Sequence, residues 1–296
     1  MKILVTGAAG FIGNAIAKEL KGSDHEVILT DILMPDELHG HAYTYADLTN
    51  QDAVNNLPDV DVVYHMCAYN NTAHFYSKPM SVIDSTLTPT IYLLQRYKSI
   101  SKFVYASSSE IYAGAVQLDI ADIPTPEVNI GVINGIDNPR WSYAGSKLMG
   151  ELLVHAAHVE HGLDYTIIRY HNVYGKRQKA HFIPEYAERI QNGDNILYGK
   201  DQTRAFLYID DAAKLTTMIA DTVTNDTIHV GNPNEVTVSI VATMIRDILK
   251  VPVLPEYKPA PIGSVDRRCA DISKLLSVFP DFEFTKLDEG LRKTLL

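Results

Sequence analysis

Residues 2–13 read KILVTGAAGFIG. Ile3, Leu4 and Val5 form a short, continuously apolar run, the pattern of a strand buried on both faces of a parallel sheet. Gly7, Gly10 and Gly13 follow at once. Glycine at these positions permits a tight turn, lets backbone N–H groups approach a pyrophosphate with no Cβ in the way, and packs a helix against the sheet. That helix is expected from about Phe11 to Leu20, with Ile12, Ile16 and Leu20 on one face. Its first turn, Phe11, Ile12 and Gly13, offers partial positive charge to an anion. A second strand, Glu26–Thr30, ends at Asp31, where a carboxylate can accept hydrogen bonds from both ribose hydroxyls and repel a 2′-phosphate. The stretch therefore reads as a dinucleotide site favouring NAD over NADP. The alternative is that the glycines are ordinary turn residues and Asp31 merely caps a loop; strand, helix, strand and acid in this order weigh against it.

The chain has 296 residues, enough for one extended domain or two unequal ones. Its 26 basic and 36 acidic residues leave a net charge of −10, which gives no basic footprint for nucleic acid. Two cysteines, Cys67 and Cys269, make no disulfide framework and match no zinc motif, so no metal is expected. Neither a signal peptide nor an apolar run of membrane-spanning length is apparent, and the expected location is cytoplasmic.

Asp47 and Leu48 follow a short extended piece, where a side chain can reach an adenine amino group or an Asp can cap a helix. Val60–Met66 reads as the next buried strand. Pro79–Lys98 is largely helical, and Pro89 either kinks it or starts a fresh helix with Thr88 as cap. Lys102–Ser107 is a further strand that delivers Ser108, Ser109 and Glu110 to the edge where open parallel sheets bind ligands. The chain from Ala113 to Arg140 is loop-like. Ser142 is then expected to cap a helix from Tyr143 to about His161, with Leu148, Leu152, Ala156 and Val159 inward and Gly162 as its stop. Tyr165–Arg169 is the next strand. Alternating strands and helices indicate an α/β fold, a Rossmann-type doubly wound parallel sheet. Beyond Arg169 the rhythm breaks, with strands expected near 196–198 and 206–209 and helices over about 183–192, 210–221 and from Thr237. This suits a smaller, mixed α/β C-terminal substrate domain. The expected division is 1–169 plus about 205–232 for the dinucleotide domain, and about 170–204 plus 233–296 for the other.

Tyr143 and Lys147 lie four residues apart on one helix, so their side chains leave the same face. A tyrosine acts as a base near neutral pH only if its phenolate is stabilised, and lowering its pKa by about three units takes roughly 4 kcal/mol. A neighbouring ammonium and the positive ring of an oxidised nicotinamide have the right sign.

Gly7–Gly13, Asp31, Ser107–Tyr112 and Tyr143–Lys147, followed by Arg169–Gly175, Gln202–Phe206 and Arg267–Asp271, together resemble the extended short-chain dehydrogenase/reductase family, in particular its nucleotide-sugar epimerases and dehydratases. The resemblance covers nearly the whole chain. It implies that Tyr143 takes the proton from a sugar hydroxyl, usually at C4, that Ser108 hydrogen-bonds the same oxygen, and that Lys147 binds the nicotinamide ribose. It further implies that Asn172, Arg204 and Arg268 hold the substrate diphosphate, for which guanidinium groups are well suited.

The fate of the keto-sugar turns on Ser109 and Glu110. The 4,6-dehydratases usually carry Asp-Glu there, so Ser109 removes an acid and counts against dehydration. The UDP-glucuronate decarboxylases carry Thr-Ser-Glu, which Ser108-Ser109-Glu110 approaches, but they usually have acidic and glycine residues where this chain has Ala144-Gly145-Ser146. An epimerase needs no extra acid, and Glu110 would then be structural or sugar-binding; beside C3 or C5 it could remove a proton. The expected function is an NAD-dependent epimerase acting through oxidation at C4. The alternatives are a decarboxylase or 4,6-dehydratase using the same keto intermediate, and a non-catalytic NAD-binding sensor. The resemblance implies a nucleotide-diphosphate sugar as partner and a homodimer through helices at about 80–98 and 143–161. Thr86 and Pro89 stand where the family usually has Asn and then Gly, and Tyr112-Ala113 where it has Tyr-Gly. The first departure bears on helix packing, the second on the sugar pocket.

Overall fold

The computed structural model describes residues 1–70, 72–128, 130–260 and 264–296. Its main layer is a sheet of seven parallel strands: β1 (Lys2–Thr6), β2 (Glu26–Asp31), β3 (Ala42–Tyr45), β4 (Val62–His65), β5 (Lys102–Ser108), β6 (Tyr165–Tyr170) and β7 (Asp226–Val230). They run in the order β3-β2-β1-β4-β5-β6-β7, so the order reverses at β1 and opens a crevice there, where such sheets take ligands. The apolar run of β1 is divided by the pleat. Ile3 and Val5 pack on one side with the helices Phe11–Glu19 and Ile209–Thr222, while Leu4 packs on the other with Pro79–Arg96 and Trp141–His161. Such a strand needs apolar residues at every position, which is why it reads as continuous rather than alternating.

Pro89 neither restarts nor ends its helix. Pro79–Arg96 is one element with Pro89 buried inside it, and Thr88 donates to Asp84 rather than capping. Thr86, also buried on this helix, donates its hydroxyl to the carbonyl of Val82 at 2.8 Å. The helix expected from Tyr143 begins at Trp141 with Arg140 as N-cap and no side-chain cap; the Ser142 hydroxyl points instead at the Phe75 carbonyl, 3.4 Å away. Gly162 does close it, at φ 70°. Its inward face also differs from expectation. Tyr143, Lys147, Gly150, Glu151, Val154 and Ala157 face the sheet, whereas Leu152 and Val159 are 58% and 70% exposed and Ala156 is exposed as well. Gly150 is required by the closeness of this contact, since a Cβ there would stand 1.8 Å from the Tyr105 hydroxyl. The loop-like segment from Ala113 opens with a short helix, Ala113–Gln117, and Ala113 is buried with Trp141 and Ala144.

After β6 the chain builds a smaller lobe around Ile183, Tyr186 and Ile190 of the helix Phe182–Gln191 and Val241, Ile245 and Ile248 of the helix Val238–Leu249. In place of one strand at 206–209 there are two, Thr203–Ala205 and Leu207–Tyr208. Thr203–Ala205 pairs antiparallel with Glu235–Thr237 and parallel with Arg267–Arg268, a register that sets Arg204 opposite Arg268. Phe11 and Ile12 pack against this lobe, so the glycine turn lies where the lobes meet.

Candidate active site

At the C-terminal edge of β1 the chain turns at Gly7, φ 66°, with the helix Phe11–Glu19 starting after Gly10. A Cβ on Gly7 would lie 2.8 Å from the Cys67 backbone, and one on Gly13 would lie 2.2 Å from the Gly7 carbonyl oxygen. Gly10, the N-cap, makes no side-chain capping bond. Asp31 ends β2 with its carboxylate pinned, accepting from the N–H of Ala9 at 3.0 Å and of Leu33 at 3.1 Å. Asp47 accepts from the Thr49 N–H and hydroxyl at 2.9 and 2.7 Å, and Leu48 is buried. The helix that follows is capped by Asn50, not by Asp47.

Two strands along, β5 ends at Ser108, whose hydroxyl accepts from the Glu110 N–H at 3.2 Å and lies close enough to Tyr143 to favour its ionised form. The Tyr143 ring is buried and stacked on Phe75, with centroids 5.0 Å apart and planes 7° from parallel. Burial, then the Glu110 carboxylate, drives the phenol above its ordinary value, and the nearby Ser108 hydroxyl only partly offsets them. Lys147 is 2% exposed and donates to the Ala106 carbonyl at 2.7 Å, with its nitrogen 5.9 Å from the Tyr143 ring centre. Burial lowers its ammonium to about 8, against the opposing pull of Cys67 and Glu151. The shared helix face is as expected, but the ammonium is anchored on a carbonyl rather than on the phenol.

Glu110 points into the interface between the lobes. Arg268 donates to Oε1 at 2.6 Å and Arg140 to Oε2 at 3.4 Å. Burial raises this carboxyl, yet Arg268 and then Arg140 outweigh it and hold it below the usual range. Arg204 donates to the carbonyls of Val265, Thr203 and Asp266, and burial followed by the nearby Arg268 lowers it to about 10. Asn172, at φ 42°, donates to the carbonyls of Ala205 and Arg268 at 3.2 and 3.3 Å, tying together the strands that carry the two arginines. The structure thus brings Asn172, Arg204 and Arg268 to one place and adds Glu110 to them. Arg140 and Phe75 carry no sequence signal of their own. They reach the site because a loop and a short helix fold over the start of Trp141–His161.

Beneath the site, Glu151 takes a two-pronged contact from Arg169 at 2.9 and 2.6 Å and a bond from the Ser107 hydroxyl at 2.5 Å. Arg169 also contacts the Tyr112 hydroxyl, which pairs with His229 Nε2 at 2.9 Å. Among the described residues no group of three or more His, Cys, Asp or Glu could hold a metal, and no helix is long and apolar enough to cross a membrane.

Residues 3–231 match the model of the NAD dependent epimerase/dehydratase family. A UDP-N-acetyl-alpha-D-glucosaminuronate decarboxylase of Bacillus cytotoxicus is 29% identical over 99% of this chain and 96% of its own. The UDP-N-acetylglucosamine 4-epimerase of Methanobrevibacter ruminantium, solved with UDP-N-acetylmuramic acid, is 28% identical with a TM-score of 0.86 over 99% of this chain and 96% of that one. The UDP-glucuronic acid 4-epimerase of Bacillus cereus, solved with NAD, is 25% identical with a TM-score of 0.84 over 100% of this chain and 97% of that one.

Proposed function

The chain belongs to the NAD dependent epimerase/dehydratase family, and we propose that it is a nucleotide-sugar 4-epimerase that works by transient oxidation at C4. The observation that carries this reading is the convergence of Ser108, Tyr143 and Lys147 at the end of β5, beside a glycine turn that a Cβ would fill. The turn fits a dinucleotide: Gly7, Gly10 and Gly13 leave room for a diphosphate at the helix start that Phe11 and Ile12 share, Asp31 is fixed where a ribose would sit, and Asp47 and Leu48 would border the adenine. Bound NAD supplies a reversible hydride acceptor. With that acceptor bound, Tyr143 would take the C4 hydroxyl proton as the C–H bond breaks and would return it when the turned keto-sugar is reduced on its other face. Ser108 holds the same oxygen through both steps, and Lys147 binds the nicotinamide ribose. Because burial and Glu110 both oppose ionisation of Tyr143, the phenolate depends on positive charge arriving with the cofactor. Asn172, Arg204 and Arg268 bind the diphosphate, and release of Arg268 from Glu110 accompanies that step.

A second reading, decarboxylation of a sugar uronate, is favoured by two guanidinium groups, Arg268 and Arg140, converging on one carboxylate, Glu110, whose place a uronate could take. There the guanidinium groups would draw in the uronate. With C4 a ketone, the C5–C6 bond would break, carbon dioxide would leave, C5 would take up a proton from solvent, and return of the hydride to C4 would close the turnover. Ser109 contributes a hydroxyl and no acid, which weighs against dehydration.

Incubation with UDP-glucose and UDP-glucuronate in heavy water separates these readings. Inversion at C4 with unchanged mass and no carbon-bound deuterium is the expected result. Loss of carbon dioxide with deuterium at C5 would replace the epimerase reading, and tight NAD binding with no turnover of either sugar would favour a sensor.

We divide the chain as 1–169 plus about 205–232 for NAD and about 170–204 plus 233–296 for the substrate; limited proteolysis yielding other stable fragments would overturn that division. We further read the protein as a cytoplasmic homodimer. Met80, Ile83, Met149, Leu152 and Val159 are exposed on the adjacent helices Pro79–Arg96 and Trp141–His161, an apolar face of the kind that two copies bury. A monomer in sedimentation equilibrium, or recovery outside the cytosolic fraction, would break this reading.

A further inference from the structure

Two histidines meet edge to face behind Ser109, His171 at the end of β6 and His229 in β7, with ring centres 4.6 Å apart. His229 is saturated: Nε2 pairs with the Tyr112 hydroxyl at 2.9 Å and Nδ1 with the Asp271 carbonyl at 2.9 Å. His171 is 2% exposed, and neither of its ring nitrogens has a hydrogen-bond partner. A histidine kept only for packing would be expected to be paired as its neighbour is, because a buried polar group without a partner costs stability. His171 also lines a cavity of about 20 Å³ together with Ser109, Arg268 and Cys269, space for about one water molecule. Two of its lining residues link that cavity to the reacting centre. Ser109 directly follows Ser108, and Arg268 is bonded to Glu110, whose N–H is held by Ser108.

We propose that His171 is a specificity-determining residue of the sugar site, its imidazole hydrogen-bonding a ring or C6 hydroxyl other than that at C4 through the cavity it shares with Ser109 and Arg268. The inference rests on the nucleotide-sugar reading above and adds to it a contact that selects among sugars. Burial, then His229, Arg268 and Arg169, hold the imidazole well below its ordinary pKa, so it is neutral, with one N–H and one bare nitrogen. A hydroxyl, both donor and acceptor, matches such a ring, and a deoxy carbon leaves both nitrogens unpaired.

The test is calorimetric binding of UDP, UDP-glucose and its 2-, 3- and 6-deoxy analogues to the NAD-loaded wild type, His171→Phe and His171→Gln. One deoxy analogue is expected to bind the wild type about tenfold or more weakly than UDP-glucose, with that ratio falling to about twofold or less in His171→Phe. UDP affinity and the thermal midpoint should stay near wild type, and His171→Gln, still polar, should fall between. The proposal is overturned if no analogue is discriminated, if His171→Phe keeps the full ratio, or if UDP weakens as much as UDP-glucose, which would mark a structural role. Should His171→Phe fail to fold, His171→Gln carries the same comparison. If neither UDP nor any UDP-sugar binds the wild type, the nucleotide-sugar reading itself fails and takes this one with it; UDP-sugar binding without discrimination removes only the role of His171.

Discussion

Lys147 and Arg169 are equally buried, each 2% exposed, on neighbouring elements beneath the end of the sheet, yet they are treated in opposite ways. Arg169 has a carboxylate in a two-pronged grip, a tyrosine hydroxyl and the Val128 carbonyl at 3.0 Å. Lys147 has one carbonyl and an aromatic face, the Tyr105 ring centre lying 5.0 Å away. A buried cation without a bonded carboxylate is held against its solvation, and burial accordingly lowers Lys147 to about 8. The Arg169 cluster is arranged for stability, while the Lys147 region keeps unmet bonding capacity at the place proposed for chemistry.

The two regions are expected to respond to substitution in different observables. Tyr143→Phe should lower kcat by about 10²–10⁴-fold while NAD and nucleotide-sugar affinity and the thermal midpoint barely move. Near-wild-type turnover would remove Tyr143 as the base. Glu151→Ala leaves the Arg169 guanidinium without its carboxylate and should cost about 3–5 kcal/mol in urea unfolding. A loss below about 1 kcal/mol would place this pair with ordinary surface contacts.

Lys147→Met should act in the other direction on stability. The folded state holds the Lys147 proton with a pKa of about 8 and the unfolded chain with about 10.5, so the unfolded chain binds more protons between those values. Burial of the charge therefore penalises folding below about pH 8, and the penalty fades as pH rises towards 10.5. The variant is expected to gain about 1–3 kcal/mol at pH 7, lose that advantage by about pH 10.5, and turn over no sugar. Destabilisation at pH 7 would mean that the bond to Ala106 outweighs desolvation.

Features carried by short-range spacing were legible in the sequence. The turn from Gly7 to Gly13 is a backbone requirement met within one strand-to-helix connection, and Tyr143 and Lys147 share a helix face by periodicity alone. The cap and inward face of Trp141–His161 differ from what its sequence suggests. Leu148, Leu152 and Val159 have helical spacing, but the face against the sheet is chosen by what the sheet presents. Glu151 turns inward for Arg169 and Gly150 for the close approach of Tyr105. Phe75 and Arg140 had no signature because they act through distant partners.

The amino-acid order by itself determined the doubly wound sheet, the glycine turn with Asp31 beside it, and the Tyr-x-x-x-Lys face, because each depends on residues within one or two elements. Tertiary structure alone decided the state of Glu110, whose partner Arg268 lies 158 residues away, and left His171 unpaired while saturating His229. A carboxylate's charge and a buried imidazole's bonding are set by whatever the fold brings within about 3 Å, which residue type and local spacing do not encode.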